Sequence, residues 1–256
     1  MLLPPPPDRV PDLDDDFRSD ALAAAWVPHY LPHWTTPERS AARFDLGPDG
    51  LRLRIDADQP DWRPEDAPLR VSNLQTADFS GPARSARGIH RHRSDGLRVR
   101  SPRGLHLGWA PSAGRVDVTL SASVDTGCMT AVWLVGTEHR RDGEAGEICL
   151  VEIDADAIGP SATRARSGLK AHRDAGLTTD MAEVVVPLDA AHPHTWTAIW
   201  CDGALILGCE GVEVRRIAQA PGYPLALMID LFETSAAGVG AYPKTATVHR
   251  VRGWSG

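Results

Sequence analysis

The sequence predicts an all-β protein, a two-sheet antiparallel β-sandwich, on three observations. Val116, Val118, Leu120, Ala122 and Val124 alternate with Asp117, Thr119, Ser121, Ser123 and Asp125, the period-two mark of a strand with one wet face. Residues 195 to 217 read as a meander of short strands joined by the turns Asp202-Gly203 and Glu210-Gly211, both strong hairpin signals. No long stretch repeats its apolar residues every 3.6 positions, so helix should be nearly absent. A chain of 256 residues is long enough to bury one large core.

Taken in order, residues 1 to 14 are proline-rich and acidic, a solvated tail or a surface strap, and residues 15 to 256 form the single expected domain. Asp15-Asp16-Phe17 opens it. Ser19 to Trp26 is predicted to cap and form a short helical turn, and Tyr30, His33 and Trp34 follow among prolines in an irregular segment. Leu51 to Asp56 alternates as a half-buried strand. Residues 57 to 104 are punctuated by Pro60, Pro64, Pro68, Gly81, Pro82 and Gly88, with strands expected at Val71 to Phe79 and Gly96 to Arg100. Loops of this length usually build a binding site or its rim. Met129 to Val135, the run from Gly146 to Ile153, and Arg166 to Ala171 are the next strands. Thr195 to Cys201, Ala204 to Cys209, Val212 to Ile217, Leu225 to Phe232 and Thr247 to Trp254 complete the list.

The net charge of -7 and a pI near 5.8 offer no basic field for a polyanion, so no nucleic-acid partner is expected. No apolar run approaches the roughly 20 residues that span a bilayer, so no membrane partner is expected either. The N-terminus lacks a basic n-region and a useful apolar h-region, which predicts a cytoplasmic location. No pattern speaks to the oligomeric state. The four cysteines (Cys128, Cys149, Cys201, Cys209) match no metal signature. With Asp202-Gly203 as a two-residue turn, Cys201 pairs with Ala204 and Cys209 lies opposite Trp196, about 16 Å along the ladder. A disulfide needs Cα atoms within about 7 Å, so all four are read as reduced thiols.

The chemistry centres on Gly146-Glu147-Ile148-Cys149-Leu150-Val151-Glu152-Ile153, an apolar strand holding two carboxylates. Desolvating an ionised carboxylate costs several kcal/mol, so each needs a partner or a task. Regular alternation places Glu147 and Cys149 on one face and Glu152 on the other. A β-bulge among Cys149, Leu150 and Val151 brings both glutamates to one face, and bulges concentrate beside active sites.

At these residues the chain resembles glycoside hydrolase family 16, whose catalytic strand reads Glu-x-Asp-x-x-Glu with a bulge, or Glu-x-Asp-x-Glu. Glu147, Cys149 and Glu152 align with that motif. Thr130 to Leu134, with Trp133-Leu134, and His194 to Trp200 are similar to two flanking strands of the family, and the resemblance spans roughly residues 15 to 254. It implies a concanavalin A-like jelly roll. It further implies Glu147 as nucleophile and Glu152 as acid/base, with pKa values pushed apart, on a β-linked glucan or galactan. Trp133 is implied as a sugar platform or a packing wall, with Trp109 and Trp34 as further aromatics beside the cleft, and His172 as a cleft histidine. The departure is Cys149, which stands where the family has Asp. A neutral thiol cannot tune the pair as a carboxylate does, and two flanking glutamates would suppress a thiolate, so Cys149 itself reads as a small buried residue lining the substrate site. Asp154 continues the strand toward solvent, and Trp196, Trp200 and Trp254 are assigned to the core.

His90-Arg91-His92 and His192-Pro193-His194 are His-x-His pairs, and on a strand the first would put both imidazoles on one face, but no third ligand is evident and both pairs read as surface histidines. No metal and no cofactor are therefore predicted, and nothing marks ligands for the structural calcium of the wider family. Three functions stay open: a hydrolase of a β-linked glycan, a jelly roll that binds carbohydrate without cleaving it, and an enzyme that uses the same cleft for acid/base work on a small molecule, such as a lyase or cyclase. The ligand is accordingly a carbohydrate or a small molecule.

Overall fold

A computed structural model of the chain describes every residue except Ser94, Asp95 and Ala237. Among the described residues the strands run β1 Leu13–Asp15, β2 Arg43–Gly47, β3 Gly50–Ile55, β4 Arg70–Gln75, β5 Ala77–Asp78, β6 His106–Leu107, β7 Gly114–Ser121 and β8 Cys128–Gly136. They continue as β9 Glu147–Asp154, β10 Thr163–Lys170, β11 Asp180–Val186, β12 His194–Cys201, β13 Ala204–Cys209, β14 Val212–Ile217, β15 Leu225–Glu233 and β16 Lys244–Ser255. The one α-helix among the described residues is the single turn Pro37–Ser40. One sheet has the order β14-β13-β12-β7-β16-β3-β2, with β1 also on β16, and the other has β11-β10-β9-β8-β15-β4. The pairings are antiparallel throughout these two sheets.

The two sheets close on a core to which alternate strand positions contribute. Val116, Val118 and Leu120 of β7, Trp196, Ala198 and Trp200 of β12, and Ile148, Val151 and Ile153 of β9 all join it. A second apolar cluster lies on the other side of β8, β15 and β4. There Tyr30, Leu31, Trp34, Trp62, Ile89, Leu97 and Val99, from the long connections, pack on Ala131, Trp133, Val135, Ala226 and Met228. These connections roof half of that sheet's outer face. The half formed by β9, β10 and β11 keeps its rim of charged side chains.

Several expectations meet the coordinates unchanged. All four cysteines are free, Cys201 pairs with Ala204, and Cys209 with Trp196. Others need correction. The strand after residue 114 stops at Ser121, and Val124 is 62% exposed beyond it. Its polar face is only partly wet: Thr119 and Ser121 are half-buried, and Asp117 is buried, held by Arg115 at 2.9 Å and by Thr197 at 2.8 Å. The N-terminal segment covers this region, since Arg115 also donates to Pro4 O, Leu2 bridges to Val212, and Trp254 Nε1 donates to Arg9 O. Ser19 to Trp26 forms no helix; one turn bond joins Trp26 N–H to Ala23 O, and both Phe17 N–H and the Trp26 indole donate to Asp15. Gly96 to Arg100 is irregular, and Val71 to Phe79 divides into β4 and β5. β2 and β11 were not foreseen, because both are sheet edges whose apolar alternation is weak.

Candidate active site

The site is built on a single extra residue. Along the pair β8–β9, Val132 faces Val151 and Trp133 faces Cys149, so Leu150 has no partner of its own. Beyond this bulge the alternation of β9 is inverted, and Glu152 opposite Ala131 joins the face that carries Cys149 opposite Trp133 and Glu147 opposite Val135. Strand β10 supplies the other side, with Arg166 opposite Glu152, Gly168 opposite Cys149 and Lys170 opposite Glu147. The bulge expected among Cys149, Leu150 and Val151 is present.

The two glutamates share one cation. Lys170 Nζ lies 2.9 Å from Glu147 Oε1 and 2.6 Å from Glu152 Oε1, so the facing oxygens fall within the separation of about 5.5 Å that suits a retaining pair. Glu152 Oε2 accepts from Arg166 Nε at 3.0 Å, and Arg166 also reaches Asp154 at 2.5 Å. His172 Nε2 stands 2.7 Å from Glu147 Oε2, and His90 Nδ1 stands 4.0 Å from the same oxygen. Glu147 is 4% exposed and Glu152 14% exposed.

Burial alone would push the Glu147 pKa up, but the His172 hydrogen bond and the Lys170 ammonium outweigh it and hold the carboxyl at about 2. Glu147 is therefore a permanent anion at neutral pH. Burial also opposes the Lys170 ammonium, yet Glu147 and Glu152 raise its pKa on balance. Burial lowers His90 to about 3, against the pull of Glu147, so its imidazole is neutral. The Cys149 thiol is driven well up, first by burial and then by Glu152 and Glu147, so no thiolate nucleophile forms there. Its Sγ points to Arg166 O at 3.7 Å.

The aromatic candidates separate. Trp133 is 5% exposed, and its indole donates to the fully buried Asp230 at 2.6 Å, which Asn73 also holds at 2.8 Å. It is a wall, touching His90 edge-on at 4.9 Å between ring centres. Trp34 is completely buried beneath the site, its Nε1 donating to Ile89 O at 3.0 Å and His90 O at 3.2 Å, so it fixes the loop that carries His90. Trp109 is not at the site. It belongs to the core between the sheets, 6.2 Å from the Trp200 ring, because Gly253 leaves room for its indole. Asp154 is partly exposed, as alternation predicted, and anchors Arg166.

His172 lies two residues beyond the end of β10 and not on the strand. His90 was read as one of a surface pair with His92; it is instead largely buried, and its neighbours are Glu147 and His172. Lys170, Arg166, Asp230 and Asn73 were missed. Only the charge complement demanded by two buried glutamates hinted at Lys170, and no spacing rule reaches from residue 147 to residue 170. An apolar groove lined by Val184, Val186, Leu188, Val212 and Val214 lies along β11 and β14 and includes none of the site residues.

No family model matches the sequence, and no curated protein matches it. Solved structures do match, and they define the class of fold as the jelly-roll β-sandwich found in glycoside hydrolases. One is a GlcNAcα1-4Gal-releasing endo-β-galactosidase from Clostridium perfringens, with TM-score 0.83 and 21% identity over 98% of this chain. The chain spans 65% of the length of that structure. A non-specific endo-β-1,3(4)-glucanase from family GH16 gives TM-score 0.66 and 16% identity over 100% of this chain and 98% of its own. A β-glucanase from Bacillus licheniformis gives 0.60 and 14% over 98% of this chain and 100% of its own.

Proposed function

We propose that the protein is a retaining glycoside hydrolase of the family 16 type, acting on a β-linked glucan or galactan. The observation that carries this reading is the Leu150 bulge, which sets Glu147 and Glu152 side by side facing Lys170. Glu147, held ionised in a buried setting, attacks the anomeric carbon. Glu152 gives its proton to the glycosidic oxygen as that bond breaks, leaving a glycosyl ester on Glu147. Glu152 then takes a proton from water, the water oxygen attacks the same carbon, and Glu147 is released with retention. For Glu152 to carry a proton, one of its oxygens must be freed, so an entering sugar displaces Lys170 Nζ from Oε1. Lys170 remains with Glu147, whose orientation it and His172 supply where the family motif uses the Asp replaced here by Cys149.

A second reading rests on one observation: both oxygens of Glu152 accept from cationic donors. That arrangement favours a site that binds a carbohydrate, or performs acid/base work on a small molecule, without glycoside cleavage. The deciding experiment incubates a panel of β-linked polysaccharides and oligosaccharides with wild type, Glu147→Gln and Glu152→Gln, and separates products by mass. Cleavage by wild type alone supports hydrolysis. Absence of cleavage by a folded wild-type protein, with retained binding of a panel member, supports the second reading.

A further inference from the structure

His90, Glu147 and His172 converge from three separate segments. Each offers one donor atom, and the three atoms lie within 4.8 Å of one another. We infer that they form a site for one divalent transition-metal ion of the zinc type. Two imidazole nitrogens and one carboxylate oxygen are the donor set of open zinc sites, where a fourth position is left for water or ligand. Here that position faces outward, since His172 is 27% and His90 12% exposed while Glu147 is buried.

Three further features support an ion at this place. Both histidines have left-handed backbones, with φ of 50° at His90 and 48° at His172. Few non-glycine residues adopt that conformation, and it costs about 1 kcal/mol or more, so two such residues aimed at one oxygen mark a constrained functional geometry. Lys170 donates to Oε1 of Glu147, leaving Oε2 toward the histidines, which is how an outer donor orients a metal-binding carboxylate. The cluster sets three carboxylates, Glu147, Glu152 and Asp154, beside two fixed cations, Lys170 and Arg166. Donors around a tetrahedral ion stand roughly 3.4 Å apart. The His172 contact at 2.7 Å must therefore open and the His90 contact at 4.0 Å must close, both small side-chain movements. The bound ion takes the oxygen that glycoside chemistry needs, so the loaded protein is held inactive as a hydrolase.

The test uses intact protein freed of metal by EDTA and titrated with Co2+, followed by its visible absorption, and with Cu2+, followed by electron paramagnetic resonance. The expected result is one equivalent of Co2+, displaced by Zn2+, and a Cu2+ spectrum with two imidazole nitrogens. His90→Ala and His172→Ala should each weaken binding at least tenfold, while His192→Ala, at a 75% exposed side chain, leaves it unchanged. Wild type that binds no ion, or a Cu2+ spectrum with fewer than two imidazoles, overturns the site; this readout stands even if an alanine variant fails to fold. Folded alanine variants that bind as tightly as wild type also overturn it. The readout is binding, so a protein that takes one Co2+ yet cleaves no glycan in its metal-free form keeps this site and loses the hydrolase reading, and a protein that cleaves glycan yet takes no ion does the opposite.

Discussion

Replacing Glu147 with Gln removes the charge that organises the site, and its cost should depend on pH in a defined way. In the folded protein the Glu147 carboxyl titrates near 2, against an ordinary value of 4.5. A carboxyl whose folded pKa is depressed binds fewer protons folded than unfolded, so it contributes stability above the unfolded value and loses it as pH falls through the folded one. At about 1.4 kcal/mol for each unit, the contribution at neutral pH is about 3 kcal/mol. The side chain is 4% exposed, so solvent screening reduces this little. Gln keeps the shape and loses the charge. Denaturant unfolding of both proteins in the presence of chelator should therefore separate them by about 3 kcal/mol at pH 7 and by about 1 kcal/mol at pH 3. For a chain of this size the neutral-pH gap corresponds to a Tm lower by roughly 6 to 12 °C. A difference that stays constant between pH 3 and pH 7, or a Glu147→Gln protein as stable as wild type at neutral pH, would refute the charge network described here.

Three more outcomes follow from individual contacts. Gly168→Ala should destabilise by about 2 kcal/mol in thermal unfolding, because φ there is +149° and an added Cβ would sit 2.1 Å from Asp180 O, on the strand that presents Lys170. Trp133→Phe removes the indole donor from the fully buried Asp230 and should cost about 2 kcal/mol, measured by urea denaturation, even though the aromatic wall is kept. Cys149→Asp should raise glycan turnover by restoring the motif's carboxylate, while lowering the Tm, since a completely buried acid would then lie between Glu147 and Glu152.

What could be read from the sequence were the features with local causes. The Asp202-Gly203 hairpin and its register follow from turn chemistry, and the bulge at Leu150 follows from the demand that two carboxylates in one apolar strand share a face. Glu147 and Glu152 are brought together as that reasoning required, and His172, which only the family resemblance implied, stands beside Glu147. Trp109 failed as a site residue because a tryptophan among loops looks the same in sequence whether it packs on Gly253 or lines a binding face. His90 and Lys170 were invisible for a different reason. One sits on a loop whose course is set by Trp34 and His33 holding Ile89 O, and the other on a neighbouring strand whose register opposite Glu147 is shifted by the same extra residue of β9. Such long-range placements have no periodic signal, and Asp117 shows the same limit, its face covered by a segment more than a hundred residues away.

The hydrolase reading rests on the attack of Glu147 on an anomeric carbon with Glu152 as acid and base. It is tested most directly by incubating metal-free protein with activated 2-deoxy-2-fluoro β-glycosides, which slow the release of a glycosyl ester, and locating the label by peptide mass spectrometry. The expected result is a single glycosyl adduct on Glu147, formed by wild type and absent from Glu147→Gln. A label on Glu152, or cleavage of natural glycans with inversion and no adduct, would contradict it.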